Sequence, residues 1–167
     1  MAVDTTDVMG RMLATSGVWE PAATAAFRSL LSPGDVCVDV GAHVGYYTLL
    51  ASKLVGPAGH VFALEPAPST FEALSSNLAS NAVTNVTALR FAAGAAHGRA
   101  ALYDPPSGNA GRASIASPAV SPSGGDRASV PTTARKAASE GHSRRRGRLH
   151  VSFLPGVVDS HHRPSMG

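Results

Sequence analysis

The sequence predicts an α/β fold on a parallel sheet, from three observations. Short β-branched runs alternate with amphipathic helical segments between residues 20 and 91. A glycine-rich turn, Gly41-Ala42-His43-Val44-Gly45, joins the first such run to the next helix. The connections are long enough for right-handed crossovers between parallel strands.

From Glu20 to Leu31, Ala23, Phe27, Leu30 and Leu31 recur at helical spacing, and Ser32-Pro33-Gly34 stops the helix. Val36-Cys37-Val38-Asp39-Val40 reads as a strand buried on both faces. A helix follows from about Tyr46 to Val55, with Leu50 and Leu54 on the face of Tyr46, and Gly56-Pro57-Ala58-Gly59 breaks it. His60 to Leu64 is the second strand, ending on Glu65-Pro66. Pro68 suits the first turn of a third helix, in which Phe71, Leu74 and Leu78 share a face, ending near Asn81. Val86 to Phe91 supplies a third strand, and Arg99 to Tyr103 a weaker antiparallel or edge strand.

Beyond Ile115 the pattern decays. Ser, Pro, Ala, Gly and Arg predominate, and only Leu149 to Leu154 keeps a strand-like run, so disorder is expected there. Charge changes at the same place: six Lys/Arg against eight Asp/Glu up to Ile115, then eight against three. The net charge of +3 therefore belongs to the tail. Arg144-Arg145-Arg146 and Arg148 read as a solvated run, and no nucleic-acid partner is expected. The expected division is an N-terminal lead-in (1–19), a partial domain (20–115) and a disordered or frameshifted tail (116–167). A half sheet would also expose a hydrogen-bonding edge open to self-association.

One cysteine, Cys37, excludes an internal disulfide and reads as a small buried hydrophobe. The most apolar stretch, Val36 to Val55, is interrupted by Asp39 and His43, which argues against a membrane span. Without a recognisable secretory leader, a cytoplasmic location is expected. His142, His150, His161 and His162 lack a cysteine or carboxylate pattern, so no metal site is expected.

A glycine turn between strand and helix lets backbone approach a ligand closely, and spacing separates the ligands that use one. A dinucleotide site needs glycine where this chain has His43 and Tyr46. A phosphate-binding P-loop needs Gly-Lys-Ser/Thr, but Gly45 is followed by Tyr46-Tyr47. What remains is Asp39 before the first glycine and Glu65 at the end of the next strand. An acid there can accept hydrogen bonds from both ribose hydroxyls, which fits adenosine without a pyrophosphate. Asp39 reads either as an orienter of the loop and of a ligand's ammonium group or as a carboxylate that caps the turn locally.

The strings G-D-V-C-V-D-V-G-A-H-V-G-Y-Y-T (Gly34 to Thr48), V-F-A-L-E-P (Val61 to Pro66) and N-L-x-x-N (Asn77 to Asn81) resemble the FkbM family of methyltransferases. The resemblance runs from about Glu20 to Ile115 and includes the S-G-N-A-G-R-A-S segment from Ser107. It implies a Rossmann-like class I methyltransferase fold, a three-layer sandwich truncated in this chain, with S-adenosylmethionine as methyl donor. It also implies O-methylation of a hydroxyl on a sugar, lipid or polyketide-like metabolite, so the expected partner is a small-molecule or glycolipid acceptor. By position, Asp39, Gly41, Ala42, His43 and Gly45 would line the methionine and sulfonium end, and Glu65 would hold the ribose. Tyr46 and Thr48 would approach the cofactor carboxylate, although packing on the sheet accounts equally well for Tyr46. The family's later D-x-E-G-x-E signature has no match after Ile115, and neither Glu140-Gly141-His142 nor Asp159 supplies one, so no catalytic residue is assigned. The alternative is a non-catalytic cofactor-binding or interaction module.

Overall fold

The computed structural model describes residues 1–94, 97–104, 114–116, 126–134 and 149–153. Among the described residues, four helices, α1 (Val8–Ser16), α2 (Pro21–Leu30), α3 (Tyr46–Val55) and α4 (Pro68–Ser80), accompany eight strands. These are β1 (Val36–Val40), β2 (His60–Leu64), β3 (Val86–Leu89), β4 (Ala92–Gly94), β5 (Gly98–Asp104), β6 (Ser114–Ala116), β7 (Asp126–Ala134) and β8 (Leu149–Phe153).

The first sheet has the order β3-β2-β1-β8 and is parallel throughout. Its alternation follows from register: Cys37 lies beside Val61 and Asp39 beside Ala63, whereas Val38 lies beside Phe62 and Val40 beside Leu64. Residues of α2, α3 and α4 pack on the first set. Phe27, Leu31, Ala51 and Val55 meet Cys37 and Val61, and Leu74, with Phe71 and Leu78 against it, meets Ala63. The opposite set, Val38, Val40 and Leu64, packs with Phe62, Leu89 and Ala93 of β4. One helical layer and the sheet are thus described; the expected second helical layer is not among the described residues.

α2 and α3 differ from expectation in part of the face they bury. In α2 the inward residues are Thr24 and Phe27, followed by Leu31 just past the helix, while Ala23 is exposed and Leu30 is 60% exposed. Thr24 tolerates burial because its hydroxyl donates to the Trp19 carbonyl at 2.6 Å. In α3, Tyr47, Thr48, Ala51, Ser52 and Val55 are buried and Leu54 packs against their cluster, whereas Tyr46 and Leu50 are half-buried. In the lead-in, α1 is capped by Asp7, whose side chain accepts from the Gly10 amide, and by the left-handed Gly17. Gly10 is required there, since a Cβ would lie 1.8 Å from the Asp4 carbonyl oxygen.

Beyond residue 116 the structure describes β8 on the strand-like run from Leu149, and β7 where disorder is expected. β8 pairs in parallel with β1, Cys37 opposite His150, and covers the β1 edge that three strands alone leave bare. The edge expected to permit self-association is therefore occupied on that side, and β3 is the other edge of this sheet. β7 lies between β4 and β5 in the second sheet, β4-β7-β5-β6. Its anchor is Val130, buried with Ala67, Ala92 and Leu102. A single apolar anchor leaves little periodicity, and ladder hydrogen bonds and partners supply the rest. β5 is antiparallel as expected, but it sits inside its sheet, between β7 and β6. His142, His161, His162, the arginine run, Glu140 and Asp159 lie outside the described residues, as does the Ser107 segment up to Ala113.

Candidate functional site at the end of the first strand

Where β1 ends, the chain passes through left-handed backbone at alternate residues: Gly41 (φ 76°), His43 (φ 53°) and Gly45 (φ 95°). Glycine adopts this region without penalty, and histidine does so under strain. The amides of Gly41 and Ala42 both donate to the Leu64 carbonyl, at 2.9 and 3.0 Å, which locks the loop to the end of β2. Gly45 donates to Ala42 at 2.9 Å and stands at the N-cap of α3. A Cβ on Gly45 would lie 2.7 Å from Cδ1 of Leu74 in α4, so this glycine also lets the two helices approach.

Two carboxylates flank the loop. Asp39 shares the helix-covered side of the sheet with Cys37, is 2% exposed, and accepts from Thr48 Oγ1 at 2.6 Å. Thr48 stands in the first turn of α3, so the charge faces the positive end of a helix. Glu65 is 6% exposed; its Oε2 accepts from the His43 amide at 2.9 Å and its Oε1 from the Ala67 amide at 2.9 Å. It thereby bridges the glycine loop and the approach to α4.

His43 carries the least satisfied side chain. Its ring is buried, and neither Nδ1 nor Nε2 has a hydrogen-bond partner. Burial pushes its pKa below the ordinary 6.5, against a smaller opposing pull from Asp7, so the neutral imidazole is favoured. Tyr46 turns toward α2: its hydroxyl lies 3.2 Å from Thr24 Oγ1, and its ring packs edge-on to Tyr47 at 5.1 Å. Burial also raises the Tyr47 pKa above its ordinary value.

Asn77 is a supporting residue that sequence reading records only as part of a motif. It is 1% exposed, and its amide donates to the Val44 carbonyl at 2.8 Å and to the Ala2 carbonyl at 3.0 Å, while its Oδ1 accepts from the Ala2 amide at 2.6 Å. The signal was present: an Asn three residues after Leu74 falls on the buried face of α4 and must bond backbone there. His150 likewise has a place in β8, its Nε2 lying 3.1 Å from Asp35 Oδ2. Among the described residues no three His, Cys, Asp or Glu side chains converge on a metal-sized site.

The model of the methyltransferase FkbM domain matches residues 39–146, more than half of the chain. The chain belongs to the FkbM methyltransferase family. Two curated relatives are methyltransferases. The protein-L-isoaspartate O-methyltransferase of Ignicoccus hospitalis is 35% identical over 74 residues, 44% of this chain and 35% of that protein. The arsenite methyltransferase of Halobacterium salinarum is 34% identical over 70 residues, 42% of this chain and 17% of that protein. This chain thus spans about a third or less of the curated relatives it matches. Among solved structures, a precorrin-6y C5,15-methyltransferase from Geobacter metallireducens is similar at 28% identity and TM-score 0.39, over 45% of this chain and 41% of that one. An Aquifex aeolicus SAM-dependent methyltransferase is similar at 24% identity and TM-score 0.39, over 47% and 40%.

The family implies S-adenosylmethionine as cofactor, and the donor set fits it. Ionised carboxylates only accept hydrogen bonds, and a ribose diol and an ammonium group bring donors. Two such carboxylates and an imidazole with two unpartnered nitrogens surround one glycine turn.

Proposed function

We propose that the chain binds S-adenosylmethionine at the β1 loop and acts as an O-methyltransferase on a hydroxyl of a sugar, lipid or polyketide-like metabolite. The observation that carries the reading is the placement of Asp39 and Glu65, both buried, on either side of a turn with left-handed backbone at residues 41, 43 and 45. When bound, the cofactor supplies a methyl group already activated on a sulfonium. Gly41, Ala42, His43 and Gly45 would shape the wall around the methionine and sulfonium end. Asp39, held by Thr48, would set the loop and face the ammonium group, and Glu65 would accept from the ribose hydroxyls. Tyr46 and Thr48 would complete the wall at the start of α3. The protein's task is then alignment and exclusion of water.

We also propose the division into a lead-in (1–19), a partial cofactor-binding domain (20–115) and a tail (116–167), and a cytoplasmic setting. No helix among the described residues is long and apolar enough to cross a membrane. Calorimetry with S-adenosylmethionine tests the binding step: wild type gives saturable heat, and Gly41→Val and Glu65→Ala reduce it at least tenfold. Folded wild-type protein that gives no heat refutes the reading. A methyl-transfer assay on hydroxylated acceptors then separates an enzyme from a cofactor-binding module, since only the enzyme turns over.

A further inference from the structure

A cavity of about 830 Å³ lies away from the carboxylates, between the N-terminal segment and the outer face of α3. Asp39, the loop from Gly41 to Gly45 and Glu65 do not line it; of the cofactor-site residues only Tyr46 reaches it. Its volume is in the range of small-molecule sites, about 300–1,000 Å³.

The lining is mixed, with Ser52, Asn81, Thr84 and Asn85 beside the apolar side chains. Leu13 and Val18 face Leu49 and Leu50 of α3 across the space, and Arg28 of α2 and Lys53 of α3 add two cations. No Asp or Glu among the described residues lines the cavity. Among the described residues neither cation takes part in an ion pair. The cavity is an open groove, to which α1, burying only Gly10, contributes Leu13. A groove that sets apolar side chains beside two cations, with no Asp or Glu among the described residues lining it, matches a molecule with a hydrocarbon body and an anionic end.

We propose that this cavity is a binding site for a small single-chain amphipathic anion. A carboxylate or phosphate monoester would pair with Arg28 and Lys53, and its chain would lie against Leu13, Leu49 and Leu50. The site is separate from the cofactor loop, and the proposal does not rest on methyl transfer.

The test is calorimetric titration of the full chain with octanoate, octyl phosphate and the neutral control octanol. Saturable one-to-one binding of at least one anion is expected, at least tenfold tighter than octanol; whichever anion binds more tightly identifies the head group. Arg28→Glu with Lys53→Glu should weaken anion binding at least tenfold. Both side chains are exposed, so the single truncations Arg28→Ala and Lys53→Ala preserve the fold and should each weaken it several-fold. S-adenosylhomocysteine should neither displace the anion nor lose its own binding in these variants. A protein with a cooperative thermal transition that saturates with neither anion overturns the proposal. So does binding indifferent to both truncations, or competition with S-adenosylhomocysteine. Sedimentation with anionic vesicles without saturation by free amphiphile would identify a membrane surface instead and equally overturn it. Loss of S-adenosylhomocysteine binding alone counts against the cofactor reading and leaves this one standing.

Discussion

Replacing Glu65 with Gln separates what this residue does for the fold from what it does for a ligand. Its two oxygens each accept one backbone amide, from His43 and from Ala67, both at 2.9 Å, in a site 6% exposed. Glutamine keeps the shape but has one acceptor oxygen, and its NH₂ must face the other amide. One charge-assisted bond, worth about 1.5–3 kcal/mol, is lost and a buried N–H is left without an acceptor. We expect a loss of about 2 kcal/mol, which at roughly 4 °C per kcal/mol lowers the thermal midpoint by about 8 °C. If Glu65 also accepts from a ribose, affinity for S-adenosylhomocysteine falls by about ten- to a hundredfold, or roughly 1.4–2.8 kcal/mol. Thermal unfolding followed by circular dichroism, without and with ligand, reads both effects. A Glu65→Gln protein that melts within 2 °C of wild type, on the order of the midpoint shift a weak bond would give, refutes the bridging role.

Gly45→Ala places a Cβ 2.7 Å from Leu74 Cδ1 at φ 95°, and urea unfolding should show a loss of about 2–3 kcal/mol. Thr48→Val removes the 2.6 Å hydroxyl donor to buried Asp39 and should cost about 1–3 kcal/mol by the same measurement. His43 is held neutral by burial, so its folded pKa lies below 6.5 and the unfolded chain takes up the proton first. Its contribution is complete above the unfolded value and is lost as pH falls toward the lowered native value; His43→Asn, which tolerates left-handed backbone, should remove that slope from urea unfolding below about pH 6.5. His150→Ala deletes the 3.1 Å contact to Asp35 and should speed amide hydrogen exchange in Leu149–Phe153 while leaving α3 and α4 unchanged.

The parts most legible in the sequence are those whose local chemistry and tertiary role agree. β1, α3 and β2 fall where the β-branched runs and glycine breaks place them, and Pro68 opens α4. Phe71, Leu74 and Leu78 also pack as their spacing predicts. Disagreement arises where a polar side chain meets its needs inside. Thr24 goes inward because the Trp19 carbonyl takes its hydroxyl hydrogen, and Leu30 is left outside. The nine-residue α1 lacks a broad apolar stripe and buries only Gly10, so its signals were the Asp7 and Gly17 caps alone. β8 falls on the strand-like run from Leu149, whereas β7 owes its form to pairing partners distant in sequence, which no local window contains.

The same distinction holds at the site. The sequence by itself determined the strand-turn-helix that presents Asp39, the glycines at 41 and 45, and the acid at 65, because strand period, turn backbone and helix start are local properties. Only the tertiary structure decided that Glu65 would hold the His43 and Ala67 amides, that Thr48 would hold Asp39, and that Asn77 would tie the loop to the N-terminal segment. Those bonds join residues that become neighbours when parallel strands and their covering helices pack, and burial then makes each of them costly to leave unmade.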